Sequence, residues 1–220
     1  MTTLTSLCNA EQSLLLIVDM QSRLSAVMPE ADAQMVLDNC KNLMHAAGIL
    51  NIPVLLTEQY PKGLGPTDSR LTERFPGRCR ILEKTGFSCC ASKSFNQALA
   101  DSHCSQVILA GQESHVCVLQ TAMSLLHQGL QVFVVEDAVC SRKAGHKYYA
   151  LQRMQQQGAI ISNYESVLFE WLKDASHPAF KSIANNGALT GSPHFLISTR
   201  YLIHTASHDI TRTSPENPSR

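Results

Sequence analysis

Short apolar runs rich in branched side chains recur along the chain at residues 14–18, 53–57, 106–110, 131–135 and 159–162. Runs this short and this uniformly apolar predict strands buried on both faces. Between them lie longer stretches with apolar positions at helical spacing, over 31–50, 94–101, 116–128 and 143–157. Strand alternating with helix predicts a three-layer α/β/α sandwich with a mostly parallel, Rossmann-like central sheet. Gly48, Gly129 and Gly158 stand after helical stretches and just before strands, where a residue tolerant of positive φ can close a helix. A further short strand is predicted at 80–83.

Residues 60–80 break any regular period with Pro61, Gly63, Gly65, Pro66, Pro76 and Gly77. They predict a long surface loop, and loops of that length commonly form lids or pocket walls. Beyond Asn186 the chain turns polar and rich in Ser, Thr and Pro, with one weakly apolar island at 195–203. The expected organisation is therefore one domain over 1–186 and a poorly ordered tail over 187–220.

Composition narrows the partners. The 220 residues are 44% hydrophobic, enough for one substantial core. Lys plus Arg equals Asp plus Glu at 18 each, so overall charge steers the chain toward neither nucleic acid nor an anionic membrane, and a small-molecule substrate is expected. The first ten residues lack an export-signal pattern and no run approaches bilayer length, so a cytoplasmic location is expected. The eight cysteines are scattered without CxxC or Cys/His zinc spacing, and predict free thiols. The adjacent Cys89 and Cys90 read as packing, because neighbouring cysteines reach disulfide geometry only with strain. The nine histidines form no HExxH motif, and neither metal nor cofactor is expected.

Candidate chemistry comes from strand ends, since open parallel sheets bind ligands beyond the carboxyl edge. Asp19 follows the first predicted strand; such a carboxylate can also merely cap a turn. Cys117 stands in the first turn of the helix after strand 106–110. Helix N–H groups there favour a thiolate, although most buried cysteines are simply core. Lys84 follows the short strand 80–83, where the alternative is a solvated lysine. An acid, a lysine and a cysteine from three strand ends together supply a base, its charge partner and a nucleophile.

Leu16-Ile17-Val18-Asp19-Met20-Gln21, then Lys84, then Gly111-Gln112-Glu113-Ser114-His115-Val116-Cys117-Val118 resembles the Asp, Lys and Cys signature of the isochorismatase-like cysteine hydrolases. PVLLTEQYPKGLGPT at 53–67 and EKTGFS at 83–88 look most like the isochorismatase-domain-containing subgroup, whose substrate is undefined. The resemblance spans roughly 11–185. It implies a hydrolase with Cys117 as nucleophile, Asp19 as general base and then acid, and Lys84 holding Asp19 and favouring ionisation. It also implies a small amide, ester or related C–N substrate, an acyl-cysteine intermediate, and an oxyanion met by the backbone N–H groups of Glu113 and Cys117. A cis peptide between Gln112 and Glu113 and assembly into a homo-oligomer belong to the same resemblance. Metal-binding nicotinamidases of this family carry an Asp and paired His residues where this chain has Glu58-Gln59-Tyr60-Pro61, so the hydrolysis is expected to be metal-independent.

Gln21, Tyr60 and Phe87 flank the proposed centre in sequence and are candidates for the substrate pocket, or else core. His115 either tunes the pocket or points to solvent. Trp171, on an amphipathic segment with Leu168 and Leu172, reads as packing, and Arg142, Lys143 and Lys147 as a solvated helix face. Two rival readings remain at this level, a catalytically silent binding or scaffold protein and a thiol redox protein, because fold alone does not decide function.

Overall fold

A computed structural model of the protein describes residues 7–73 and 77–184. Six strands form one sheet: β1 (Ser13–Val18), β2 (Val54–Gln59), β3 (Cys79–Lys84), β4 (Gln106–Gln112), β5 (Gln131–Cys140) and β6 (Ile160–Ser162). Their order is β3-β2-β1-β4-β5-β6, and every pairing is parallel. The helices are α1 (Ser22–Ser25), α2 (Glu30–Ile49), α3 (Pro61–Leu64), α4 (Ser69–Thr72), α5 (Lys93–Ser102), α6 (Leu119–His127), α7 (Ala144–Gln156), α8 (Tyr164–Leu172) and α9 (Phe180–Ile183).

Alternation along the central strand sorts the two faces. Leu15 and Ile17 of β1 pack with Val36, Leu43 and Ala47 of α2 and with Leu168 and Trp171 of α8. Leu14, Leu16 and Val18 pack on the other face with Phe95 of α5, Ala122 and Leu125 of α6, and Met154 of α7. Both faces of β1 are thus buried, which is why its sequence is an unbroken apolar run rather than an alternating one. The Trp171 indole N–H donates to Ser13 Oγ at 3.0 Å, so this residue packs and ties α8 to the start of β1.

Three details depart from the sequence pattern. Gly48 lies inside α2, and the chain reverses instead at Asn51 (φ 58°), whose short amide side chain tolerates the left-handed region. Strand β5 continues to Cys140, five residues beyond the apolar run, because a register shift between Leu109 and Gly111 re-pairs Gly111 and Gln112 with Val139 and Cys140. The described part of the 60–80 stretch is more than a surface loop: it holds α3 and α4, bridges to Gln21 through Thr67, and buries Thr67, Asp68 and Leu71. The predicted tail at 187–220 lies outside the described residues. Among the described residues no helix is long and apolar enough to cross a membrane.

Candidate active site

The strand order reverses between β1 and β4, which stay paired up to Val18 and Gly111, and doubly wound sheets take ligands beyond the carboxyl ends of such a pair. Gly111 makes that approach possible. It has φ 108°, and a Cβ there would stand 2.1 Å from the Val18 carbonyl oxygen, so no other residue fits beside the last residue of β1.

Asp19 leaves β1 in the left-handed conformation (φ 50°). Its N–H donates to the Thr57 carbonyl at 3.1 Å, and its carbonyl accepts from Gln112 Nε2 at 3.1 Å. The backbone on both sides therefore fixes where the carboxylate points. Lys84 ends β3, two strands away, so its side chain must cross the end of β2 to reach Asp19. It does so: Lys84 Nζ donates to Asp19 Oδ2 at 2.7 Å, with the two side chains 1% and 0% exposed. Gln59 Oε1 at 2.7 Å and the carbonyls of Phe87 at 3.2 Å and Gly86 at 3.3 Å also accept from this ammonium. A buried ion pair needs such additional partners to offset desolvation.

Cys117 sits in a π-helical turn, Ser114–Val118, that leads into α6; the Val118 N–H reaches back five residues to the Glu113 carbonyl at 3.2 Å. The peptide between Gln112 and Glu113 is cis. Ser114 Oγ anchors the turn by donating to the Cys140 carbonyl at 2.9 Å. The Asp19 carboxylate is close enough to the Cys117 thiol to oppose its ionisation. Burial, and then the Asp19 carboxylate, hold that thiol well above its ordinary pKa, with Lys84 opposing. The expectation of a readily ionised Cys117 is corrected here: desolvation and the Asp19 charge outweigh Lys84 and favour the thiol.

The second strand contributes what the sequence reading missed. Thr57 Oγ1 donates to Asp19 Oδ1 at 2.7 Å, and Cys89 Sγ donates in turn to Thr57 Oγ1 at 3.7 Å. Cys89 packs in the core as expected, and the place it fills is directly behind the carboxylate; burial first, and Asp19 second, push its pKa up to about 11. Gln59 bridges Lys84 to the Thr85 carbonyl, which its Nε2 reaches at 2.7 Å. Alternation puts Thr57 and Gln59 on one face of β2. That spacing was visible in the sequence, but not that Lys84 would cross this strand.

The pocket candidates separate. Gln21 is fully buried; its Nε2 donates to the Gln59 and Gly65 carbonyls at 3.0 and 2.6 Å and its Oε1 accepts from the Gln59 N–H at 2.8 Å. Its amide braces the loop from a fully buried position, so of the two alternatives the sequence left open for Gln21 the structure favours core. Tyr60 is exposed and lines a cavity of about 410 Å³ whose wall also includes Lys84, Thr85 and Gly86. Phe87 is exposed and its carbonyl accepts from Lys84. Cys117 is 6% exposed and stands outside the cavity wall. Glu113 pairs with Arg142 at 3.0 Å and Lys147 with Glu136 at 3.2 Å, so two of the three basic residues expected on a solvated face are ion-paired. His115 is half-buried, 3.0 Å from Ser141 Oγ through Nδ1, with its ring tilted at 43° against that of His146.

A parallel α/β domain with a buried acid–lysine pair and a cysteine at its switch point defines a class, and comparison with known proteins specifies it. The isochorismatase domain matches residues 13–166, and the chain belongs to that family of hydrolase fold. It is similar to isochorismatase family protein 1B of Dictyostelium discoideum, 38% identical over 177 residues that cover 79% of this chain and 84% of the relative. The structure of MAR1 ribonuclease from Caenorhabditis elegans superposes with a TM-score of 0.78 at 37% identity, covering 84% of this chain and 94% of that one. YcaC from Pseudomonas aeruginosa, solved with hexane-2,5-diol and covalent acrylamide, gives a TM-score of 0.78 at 26% identity, covering 94% and 100%.

Proposed function

We propose that the protein is a metal-independent cysteine hydrolase of a small amide, ester or related C–N substrate. The observation that carries this reading is the buried Lys84–Asp19 pair at 2.7 Å with the Cys117 thiol in reach of the same carboxylate. Asp19 takes the thiol proton as Cys117 sulfur bonds to the electrophilic carbon, and the oxygen or nitrogen of that carbon meets the N–H groups of Glu113 and Cys117. The leaving amine or alcohol departs with the proton from Asp19, giving the acyl-cysteine. Water then gives a proton to Asp19 while its oxygen attacks the thioester. The acid leaves, and sulfur recovers the proton from Asp19.

Metal independence is supported by the identity and engagement of the strand-end residues. Glu58 is buried and accepts from the Thr67 N–H at 2.6 Å and hydroxyl at 2.8 Å, while Gln59 holds Lys84. The covalent acrylamide in the YcaC structure supports a fold in which a protein group can react with a small electrophile. A homo-oligomer and a domain ending near residue 186 belong to the same proposal.

The test is a panel of small amides, esters and RNA, the last because of the ribonuclease name of one relative, assayed with wild type and Cys117→Ser. Turnover of an amide or ester by wild type alone, with an acyl adduct at Cys117 trapped by acid quench, is expected. Turnover that survives Cys117→Ser refutes the assignment.

A further inference from the structure

The proposed reaction asks one carboxylate to accept a proton, hold it and return it, so the orientation of Asp19 matters as much as its presence. Four groups face it: Lys84 from β3, Cys117 from the turn before α6, Thr57 from β2, and Cys89 behind Thr57. Lys84 alone occupies Oδ2 and leaves the carboxylate free to rotate about that contact. Thr57 removes the freedom. Its hydroxyl is 1% exposed as a residue, donates to Oδ1 at 2.7 Å, and can donate only once. The Cys89 thiol at 3.7 Å then falls on the acceptor side of the hydroxyl, which keeps the Thr57 proton directed at Asp19.

We propose that Thr57 is a positioning residue for the base, fixing Asp19 by Oδ1 so that its remaining lone pairs receive the Cys117 proton. The inference rests on the proposed reaction. Its donor must be a hydroxyl, because only a group that both donates to a carboxylate and accepts from a carboxylic acid serves Asp19 in its two states. Valine has the shape of threonine and neither capacity; serine retains both.

The experiment follows limited iodoacetamide alkylation of Cys117 by mass spectrometry at pH 7, in wild type, Thr57→Val, Thr57→Ser and Asp19→Asn, with the thiol of Cys104, outside the site, as the internal reference. Wild type should label Cys117 faster than Asp19→Asn, in which no carboxylate accepts the thiol proton. In Thr57→Val the loss of a hydrogen bond to a charged group should slow alkylation of Cys117 by about tenfold or more and leave that of Cys104 unchanged. Thr57→Ser should restore the rate. If Thr57→Val is insoluble, Thr57→Ala removes the same donor without the crowding methyl. An unslowed Cys117 in the folded Val or Ala variant, or a Ser variant that behaves like Val, overturns the inference. A rate at Cys117 that Asp19→Asn leaves unchanged instead overturns the proposed reaction and the inference with it.

Discussion

Replacing Lys84 by methionine tests the arrangement without requiring a substrate. The change keeps the length of the side chain and removes its charge, leaving the Asp19 carboxylate, 0% exposed, with Thr57 and no cation. Gln59 Oε1 and the carbonyls of Gly86 and Phe87 lose their donor at the same time. Breaking a buried pair by deleting one partner costs about 3–5 kcal/mol, because the surviving charge is uncompensated. For a chain of this size that is a fall in Tm of about 6–20 °C. The loss should shrink as pH falls, since the lone carboxylate can take up a proton and become neutral, and Lys84→Met combined with Asp19→Asn should recover part of it. Urea titrations of wild type, the single variant and the double variant at pH 7 and pH 5 read these differences. A single variant within about 1 kcal/mol of wild type, the range expected of an exposed pair, would show that Lys84 and Asp19 are not a buried pair in solution.

Gly111→Ala should destabilise the fold by about 4 kcal/mol or prevent soluble expression, because the new Cβ meets the Val18 backbone at 2.1 Å and φ is 108°; a normal melting curve would refute the close approach. The Asp68 carboxyl is held below its ordinary value of 3.8, chiefly by its hydrogen bonds with Arg70. A lowered native pKa stabilises above the unfolded value and loses that contribution as pH falls through the native one. Asp68→Asn should therefore cost up to about 1 kcal/mol at pH 7, discounted because Arg70 is half exposed, and nothing in strong acid. A pH-independent difference on urea titration would contradict the sign. Turnover, measured on whichever small amide or ester the panel identifies, should survive EDTA; loss that zinc or iron restores would send attention back to Glu58 and the histidines.

Layer order was legible because β1, β2 and β4 are almost wholly buried and therefore largely apolar, while the partly exposed edge strands β3 and β6 left only short runs; Asp19, Lys84 and Cys117 were legible as candidates because each stands at or just beyond a strand end. What escaped had physical reasons. The end of β5 passes through Glu136 and Asp137, which a hydrophobicity pattern reads as loop, yet its pairing with Gly111 and Gln112 depends on a bulge that no local pattern encodes. Gln21 and Tyr60 are both close to the centre in sequence, but the first faces backbone and the second a cavity, a distinction set by the path of the 60–80 segment. Thr57 and Cys89 were missed because a hydroxyl in a strand and a cysteine beside another cysteine carry no spacing signal. Their role arises only when β3, β2 and β1 lie side by side and Lys84 crosses between them.

The raised pKa of Cys117 fits the proposed nucleophile once charge is counted over the whole buried cluster. With Lys84 as ammonium, Asp19 as carboxylate and Cys117 as thiol, the site is neutral. Ionising the thiol to solvent would leave one uncompensated negative charge among groups that are almost wholly buried, at a cost of several kcal/mol. Passing the same proton to Asp19 leaves the total at zero, because the cluster exchanges a carboxylate for a thiolate beside the same ammonium. Activation by this route needs little dielectric response from the surroundings, and it explains why the acid must sit against the thiol even though its charge opposes free ionisation. It also separates the roles of the two partners. In the proposed reaction Lys84 balances whichever anion is present, while Asp19, held by Thr57, decides when the anion is sulfur; the nucleophile is then generated in the step that uses it and does not stand as a reactive thiolate between turnovers.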